Sequence, residues 1–308
     1  MNYKDLYSDR LLYYSPFRYL KGLNNSDLIN ETVIKPIITD IENNSVKIVE
    51  ISESNFTHLF VIKELLWDSE NLGFQCIKIL NIFFEHTDIN ILVRALEKFK
   101  KDHIDNKKVY FFIDVPSEDL YLTQAFTHIG FRLIESRLNY YFDKVKDYLP
   151  DERYPVRYAN SSEAEQLRKI AIKMRNPYDR IHADLKIDNE IADQYLGQFA
   201  FNSVNGYADY VLVPDIKDVP IFGFLAFNKP TNYKGHMSSK LVLAAIDNSI
   251  HKKWLIKLLS EVIYLTKYQQ VDSVTTITQT SNIPAFRTWE QFGFKLGFVT
   301  NILVYKND

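Results

Sequence analysis

What most narrows the foldings open to this chain is a short pattern that occurs twice. Residues 271–308, VDSVTTITQTSNIPAFRTWEQFGFKLGFVTNILVYKND, read as a strand, a polar turn, a short helix, a glycine stop and a second strand. Residues 274–278 are all β-branched, which suits a pleated, half-buried surface. Ser281 and Asn282 can accept from the free N–H groups that open a helix. Pro284 falls in its first turn, where a missing N–H costs nothing. Ala285, Trp289 and Phe292 recur at helical spacing, and Gly293 can take the positive φ that stops a helix. A displacement of 163 residues lays Asp119 on Asn282, Phe126 on Trp289, Ile129 on Phe292, Gly130 on Gly293, Phe131 on Phe294 and Leu133 on Leu296. Each copy follows one strand and precedes another (132–142 and 295–305). A duplicated or pseudo-duplicated domain is the expectation.

A chain of 308 residues has room for both copies, and 46% hydrophobic with 14% aromatic residues can fill two cores. With 37 Lys and Arg against 39 Asp and Glu, the net charge of -2 carries no footprint for nucleic acid or an anionic membrane. The single Cys76 excludes an internal disulfide, argues against a cysteine metal site, and sits among apolar neighbours as a buried small hydrophobe. No apolar run reaches signal or membrane-spanning length, so a soluble, cytoplasmic protein is expected.

Along the first half, Tyr13, Tyr14, Phe17 and Tyr19 are expected to pack an aromatic arm onto a domain surface. Strands are expected at 46–51, 76–83 and 109–115, an amphipathic helix at 89–101, a helix or turn at 55–66, and a helix from 117 to 130. The charged, proline-bearing stretch 144–155 reads as a linker, dividing a domain of residues 1–150 from one of 151–308. The second half opens with a strand at 156–158. A capping box at Ser162 and Glu165 then precedes a helix, and another helix covers 191–200. Strands at 207–213, 221–228 and 241–246 lead to a long helix over 250–268 and the closing unit.

Asn282, Ala285, Glu290, Gly293 and Phe294 match, in order and spacing, the signature N-x-x-A-x-x-x-Y-E-x-x-G-F. On these residues, and on its element order over 156–308, the chain resembles the GNAT acyltransferases, which move an acyl group from coenzyme A to an amine. The resemblance implies a mixed α/β (α+β) GNAT fold in tandem, with a degenerate GNAT-like first half. It also implies a V-shaped parting of the two strands that flank the long helix. Trp67-Asp68-Ser69 with Gly73-Phe74, Arg180-Ile181-His182-Ala183-Asp184, and Thr278-Gln279 with Asn282 resemble segments of the TDP-fucosamine acetyltransferase-like branch. Its members acetylate an amino sugar linked to a nucleotide. That likeness assigns Trp67, Asp68, Arg180, His182 and Asp184 to the substrate. Each has a plainer reading: Trp67 as a core aromatic, Asp68-Ser69 as a turn, His182 as a hydrogen-bonded surface residue, Asp184 as a loop support.

Two departures bear on chemistry. Where the family holds the coenzyme pyrophosphate on a glycine loop, the chain after Ile246 reads Asp247-Asn248-Ser249-Ile250-His251-Lys252-Lys253-Trp254-Leu255-Ile256, with no glycine. Glycines let the backbone close on phosphate and point N–H groups at it. Here His251, Lys252 and Lys253 would have to grip through side chains, with help from the helix N-terminus. The alternatives are that the lysines form a solvated first turn, or that Trp254 fills the groove. The family's frequent catalytic tyrosine is Trp289 here, whose indole cannot protonate a thiolate. The catalytic residues are therefore unassigned, with Tyr264, Tyr268 and Tyr305 as candidate acids. Ile246, His251, Lys252, Lys253, Trp254, Asn282 and Trp289 are the expected coenzyme contacts.

The function implied is an acyl-CoA-dependent N-acyltransferase acting on a small amine, with acetyl-CoA or another acyl-CoA as co-substrate and no metal. A catalytically silent ligand- or protein-binding relative, and an enzyme using an acyl-carrier-protein donor, remain open beside it. The expected partners are the small-molecule amine, with a homodimer and an acyl carrier protein as candidates, and neither nucleic acid nor membrane.

Overall fold

The computed structural model describes residues 9–21, 24–104, 108–247 and 253–307. The first elements in chain order are α1 (Asn25–Ile29), α2 (Lys35–Glu42), β1 (Lys47–Glu53), β2 (Phe56–Glu64), α3 (Leu66–Leu72), β3 (Gln75–Phe83), α4 (Ile89–Ile104), β4 (Val109–Pro116), α5 (Leu120–His128) and β5 (Arg132–Phe142). There follow β6 (Val156–Tyr158), α6 (Ala164–Lys173), α7 (Asn189–Asn202), β7 (Tyr210–Pro214), β8 (Gly223–Phe227), β9 (Thr231–Tyr233) and β10 (His236–Ile246). The last are α8 (Trp254–Tyr268), β11 (Ser273–Gln279), α9 (Ile283–Phe292) and β12 (Lys295–Lys306). The fold class is mixed α/β. Contacts divide the chain into Met1–Arg137 with Gly297–Asp308, and Leu138–Leu296.

In the first unit β1 and β2 form a hairpin, β2 is antiparallel to β3, and β3 is parallel to β4. The register Thr300↔Pro116 through Lys306↔Tyr110 then seats β12 antiparallel on β4. The helix or turn expected at 55–66 is strand β2. Ser54 and Asn55 both take positive φ (49° and 65°), a two-residue turn that matches strand twist but here lacks the glycine that would signal it. Leu92, Leu96 and Phe99 of α4 pack with Phe111, Ile113 and Phe126, burying one apolar stripe each of α4 and α5. Leu11, Ile29, Val33 and Ile37 pack with Val61 and Phe83 in a separate cluster. The N-terminal segment is therefore helical and partly core, beyond the aromatic arm expected. Cys76 is fully buried, as expected.

In the second unit β6, β7, β8 and β10 are successively antiparallel, and β9 forms a hairpin with β10. The strand expected at 241–246 thus begins five residues earlier, at His236. The strand expected at 207–213 begins at Tyr210, because Gly206 at φ 103° ends a π turn that takes in Tyr207. Asn160 and Glu163, rather than Ser162 and Glu165, make the capping box before α6. One core gathers α6 and α7 residues with Val211, Val213 and Phe224. Another gathers Leu258, Leu259 and Val262 of α8 with Leu225, Phe227 and Trp289. The 144–155 segment is strapped along α8. Arg153 makes three hydrogen bonds to the fully buried Glu261 carboxylate (2.7–3.0 Å), the Tyr154 N–H donates to it at 2.7 Å, and Tyr148 donates to Ser260 Oγ at 2.9 Å.

The two copies of the repeated unit agree bond for bond. Asp119 and Asn282 are N-caps with φ/ψ of -84/66° and -86/67°, accepting from the N–H groups of Leu122 and Ala285. Gly130 and Gly293 take φ of 89° and 106°. The N–H of Phe131 then donates to Phe126 (3.0 Å), and that of Phe294 to Trp289 (2.9 Å). The helix expected from 117 starts at Leu120, because Asp119 is its cap.

Candidate active site

In the second unit β10 and β11 run parallel and pair only at Ser238↔Ser273, Ser239↔Val274 and Lys240↔Thr275. β11 goes on to Gln279, but β10 no longer follows it. From Leu241 to Ile246, β10 is held on its other side by β8, through Ile246↔Gly223. The departure coincides with a bulge at Val242, between Leu241↔Phe227 and Leu243↔Ala226. A bulge adds local twist and bends its strand, which turns β10 away from β11. The result is a wedge open at the C-terminal ends of both strands. Alternate N–H groups of a strand point to opposite edges, so part of the 241–246 backbone presents donors to the wedge. Val242, Leu243 and Ala244 are half-buried on its β10 side, and Thr276 and Thr278 are buried on β11.

Several expected residues cluster about this wedge. Ile246 ends β10 and is buried against Gly223. Asn282 caps α9 three residues beyond β11, its Oδ1 accepting from the Ala285 N–H at 3.4 Å. Trp289, one face below that cap, is 5% exposed, and its indole N–H is buried without an acceptor. Lys253 is exposed at φ 66° before α8, with no side-chain capping bond. Trp254 is 6% exposed and packs its ring on Phe222 (5.4 Å, 80°) and Tyr154 (6.5 Å), so its ring partners lie on the β8 side of β10. The helix expected over 250–268 is α8, starting at Trp254, while His251, Lys252 and Ile250 lie outside the described residues.

The connection between α6 and α7 carries the second group. Asn176 donates to Gln279 Oε1 at 2.6 Å, which fastens this loop to the end of β11. His182 bridges Asp179 Oδ2 (2.7 Å) and Asp193 Oδ1 (3.1 Å), with its side chain 2% exposed. Burial opposes charge on this imidazole, but the two carboxylates together outweigh it and raise its pKa. Arg180 and Asp184 are buried in the same loop, and Asp184 Oδ1 accepts from the Lys186 N–H at 3.0 Å. Trp67 and Asp68 belong to the first unit, half-buried on α3. Of the candidate acids, Tyr264 and Tyr268 share a 2.6 Å hydrogen bond far along α8, about 15 and about 21 Å from its N-terminus at 1.5 Å rise per residue. Tyr305 lies on β12 in the first unit.

The first unit contains a second wedge that reading along the chain does not reveal. β3 and β4 pair from Gln75↔Val109 to Ile79↔Ile113, and a bulge at Leu80 follows where β3 continues on β2 alone. This wedge is bridged from within. Arg10 donates to the Ile82 carbonyl of β3 and to Asp119 Oδ2, both at 2.6 Å, and the Tyr14 hydroxyl donates to the same carboxylate at 2.8 Å. Among the described residues no group of three or more His, Cys, Asp or Glu could hold a metal ion, and no helix is long and apolar enough to cross a membrane.

No protein-family model and no curated protein matches the chain. Among solved structures it is similar to a GCN5-related N-acetyltransferase from Sphaerobacter thermophilus, with TM-score 0.58 at 10% identity over 99% of this chain and 94% of that one. A functionally unknown conserved protein from Staphylococcus epidermidis gives TM-score 0.54 at 12% identity, over 87% of this chain and 98% of that one. A GCN5-related glucosamine N-acetyltransferase region of a fungal multi-domain β-N-acetylglucosaminidase gives 0.52 at 12% identity, over 81% of this chain and 33% of that one. On this likeness and on the parted strands, the chain has the fold of the GCN5-related N-acetyltransferases.

Proposed function

We propose that the second unit is an acyl-CoA-dependent N-acyltransferase for a small amine, and that the amine is carried by an amino sugar, as on a nucleotide-linked sugar. The observation that carries the reading is the wedge, where β10 leaves β11 after Lys240 yet stays rigid on β8 to Ile246. A thioester lying along β10 would complete the backbone hydrogen bonding that β11 has given up. A free N–H at its carbonyl would stabilise the oxyanion that forms on attack. The neutral amine attacks the carbonyl carbon, the C–N bond forms, the C–S bond breaks, and the coenzyme leaves as thiolate. The nitrogen's proton passes to a base or to ordered water. Trp289 can donate a hydrogen bond but not a proton, so rate would come chiefly from orientation.

The amino-sugar assignment is supported by the Arg180–Asp184 and Thr278–Asn282 segments, and by the named glucosamine activity of one structural neighbour. A cytoplasmic enzyme is part of the same proposal. One observation favours a donor without an adenosine diphosphate end, such as an acyl carrier protein. Trp254 and Ile256 stand at the glycine positions, and Trp254 is packed into the core. Titration calorimetry with acetyl-CoA tests the reading. Saturable binding, abolished by Ala244→Pro within β10, is expected; no binding by any acyl thioester overturns it.

A further inference from the structure

The connection between α6 and α7 is fastened at two places, and one of them depends on a proton. At its start Asn176 donates to Gln279, the last residue of β11 and so part of the wedge's rim. Further on, His182 joins Asp179 Oδ2, within the connection, to Asp193 Oδ1 on α7, at 2.7 and 3.1 Å. A carboxylate oxygen only accepts, and a neutral imidazole carries one N–H and one lone pair. Both contacts are therefore hydrogen bonds only while both ring nitrogens are protonated. The side chain is 2% exposed, which leaves little room for water to replace either carboxylate.

The two bonds are not equal. Asp179 Oδ1 also accepts from the N–H groups of Ile181 and His182, at 2.9 and 3.1 Å, so this half of the bridge is local. Asp193 belongs to α7, and its other oxygen accepts from Arg175 at 2.9 Å. Loss of the ring's second proton leaves the Nδ1–H on Asp179 and turns the Nε2 lone pair on the Asp193 carboxylate. Lone pairs 3.1 Å apart repel, so the tie to α7 is the one that parts. The charged groups about the ring are Asp179, Asp193 and, across Asp193, Arg175. The two carboxylates favour the proton and outweigh the burial that opposes it.

We propose that His182 is a positioning residue and a proton-dependent latch: as imidazolium it pins the 176–188 connection to α7, and as neutral imidazole it frees that connection beside the wedge's rim. It acts through the connection, since both ring nitrogens are already engaged. The latch stands on the bridge itself, and its effect on turnover rests on the acyltransferase reading.

The test is amide hydrogen exchange on the full-length protein from about pH 6 to about pH 9, with each rate divided by its intrinsic value. The N–H groups of Ala183 and Ile187 are bonded within the connection and read its opening. Expected there is a loss of protection of about tenfold or more as pH rises through the His182 transition, the worth of one hydrogen bond between charged groups. The amides of α6 and α7 should not change. His182→Gln should leave the connection open at every pH. Asp193→Asn should do the reverse, because its amide can donate to the neutral Nε2 while its oxygen still accepts from Arg175. A histidine with a merely structural role would give opening in both variants. No step in the wild type, a step that survives in His182→Gln, or opening of Asp193→Asn at high pH overturns the proposal. Should His182→Gln fail to fold, the wild-type and Asp193→Asn profiles decide alone. Turnover then tests the link to the wedge. The ratio of wild-type to Asp193→Asn aminolysis of acetyl-CoA, in which the amine's own titration cancels, should fall over the same pH range. An unchanged ratio overturns that link. Absence of all thioester turnover overturns the acyltransferase reading and leaves the exchange result standing.

Discussion

The wedge in the first unit and the wedge in the second begin alike and finish differently. Both lie between parallel strands, and both open beside a bulge, at Leu80 and at Val242. Both have a capped helix following the second strand, with the cap in the same conformation to within a few degrees. The difference is one residue at that cap. Asp119 is 2% exposed and ionic, and a buried carboxylate requires a partner. Arg10 supplies it and ties β3 to the cap in doing so. Asn282 is neutral and half-exposed, satisfies the helix N–H alone, and makes no comparable bridge to β10 among the described residues. The chain's own N-terminal segment bridges the first wedge, and among the described residues no such bridge spans the second.

The sharpest way to break this comparison is to remove each cap. Asp119→Ala strands Arg10 and Tyr14 and should cost about 3–5 kcal/mol, whereas Asn282→Ala should cost about 1 kcal/mol, the ordinary value of a cap. Urea midpoints read both, and equal losses would mean that the arm does not hold the first wedge. Next comes pH. In the first unit His58 and His86 face each other with Nε2 atoms 2.6 Å apart, and burial lowers both pKa values. An unfolded histidine takes its proton near about 6.5. These two resist it, so their unit loses stability as pH falls below that point. His182 behaves oppositely: its contribution is complete below about 6.5 and is lost as pH rises through its raised pKa. His86→Leu should flatten the acid limb of a stability–pH profile, and His182→Asn the alkaline limb. Exchange of those two effects would refute the assignment. The smallest change makes the second copy like the first. Trp289→Phe should cost less than about 1 kcal/mol, because lost ring area is offset by removing a donor that has no acceptor. A larger loss in thermal midpoint would show that the indole N–H has found one.

These differences also mark what could be read from the amino acids. The cap, helix, glycine and return strand were legible in both copies, because their bonds close within about fifteen residues and each needs a particular residue type. Strand β2 is not legible, because its turn at Ser54–Asn55 carries no glycine. The capping box before α6 is ambiguous in the sequence, since Asn160 with Glu163 and Ser162 with Glu165 have the same spacing and suitable residue types. Neither wedge could be seen in the periodicity of one strand, because parting is a property of a pair. The second was implied only through family resemblance. The first depends on Arg10 meeting Asp119, a contact across more than a hundred residues. Trp254 illustrates the limit for the site: its place at a glycine position was plain, but its burial on Phe222 was not. Replacing it with glycine would excavate the core at a cost of about 3–5 kcal/mol, so that substitution is a poor probe of coenzyme binding.

The pairing of β12 with β4 has a consequence for how the chain is made. β4, reading VYFFIDVP, is apolar except at Asp114, and its β12 edge waits for residues 300–306. At about 5–20 residues per second, synthesis leaves that edge without its partner for on the order of ten to forty seconds after β4 emerges. An unpaired apolar edge is a template for association with other chains. Nascent chains stalled between the two strands should therefore be the aggregation-prone species.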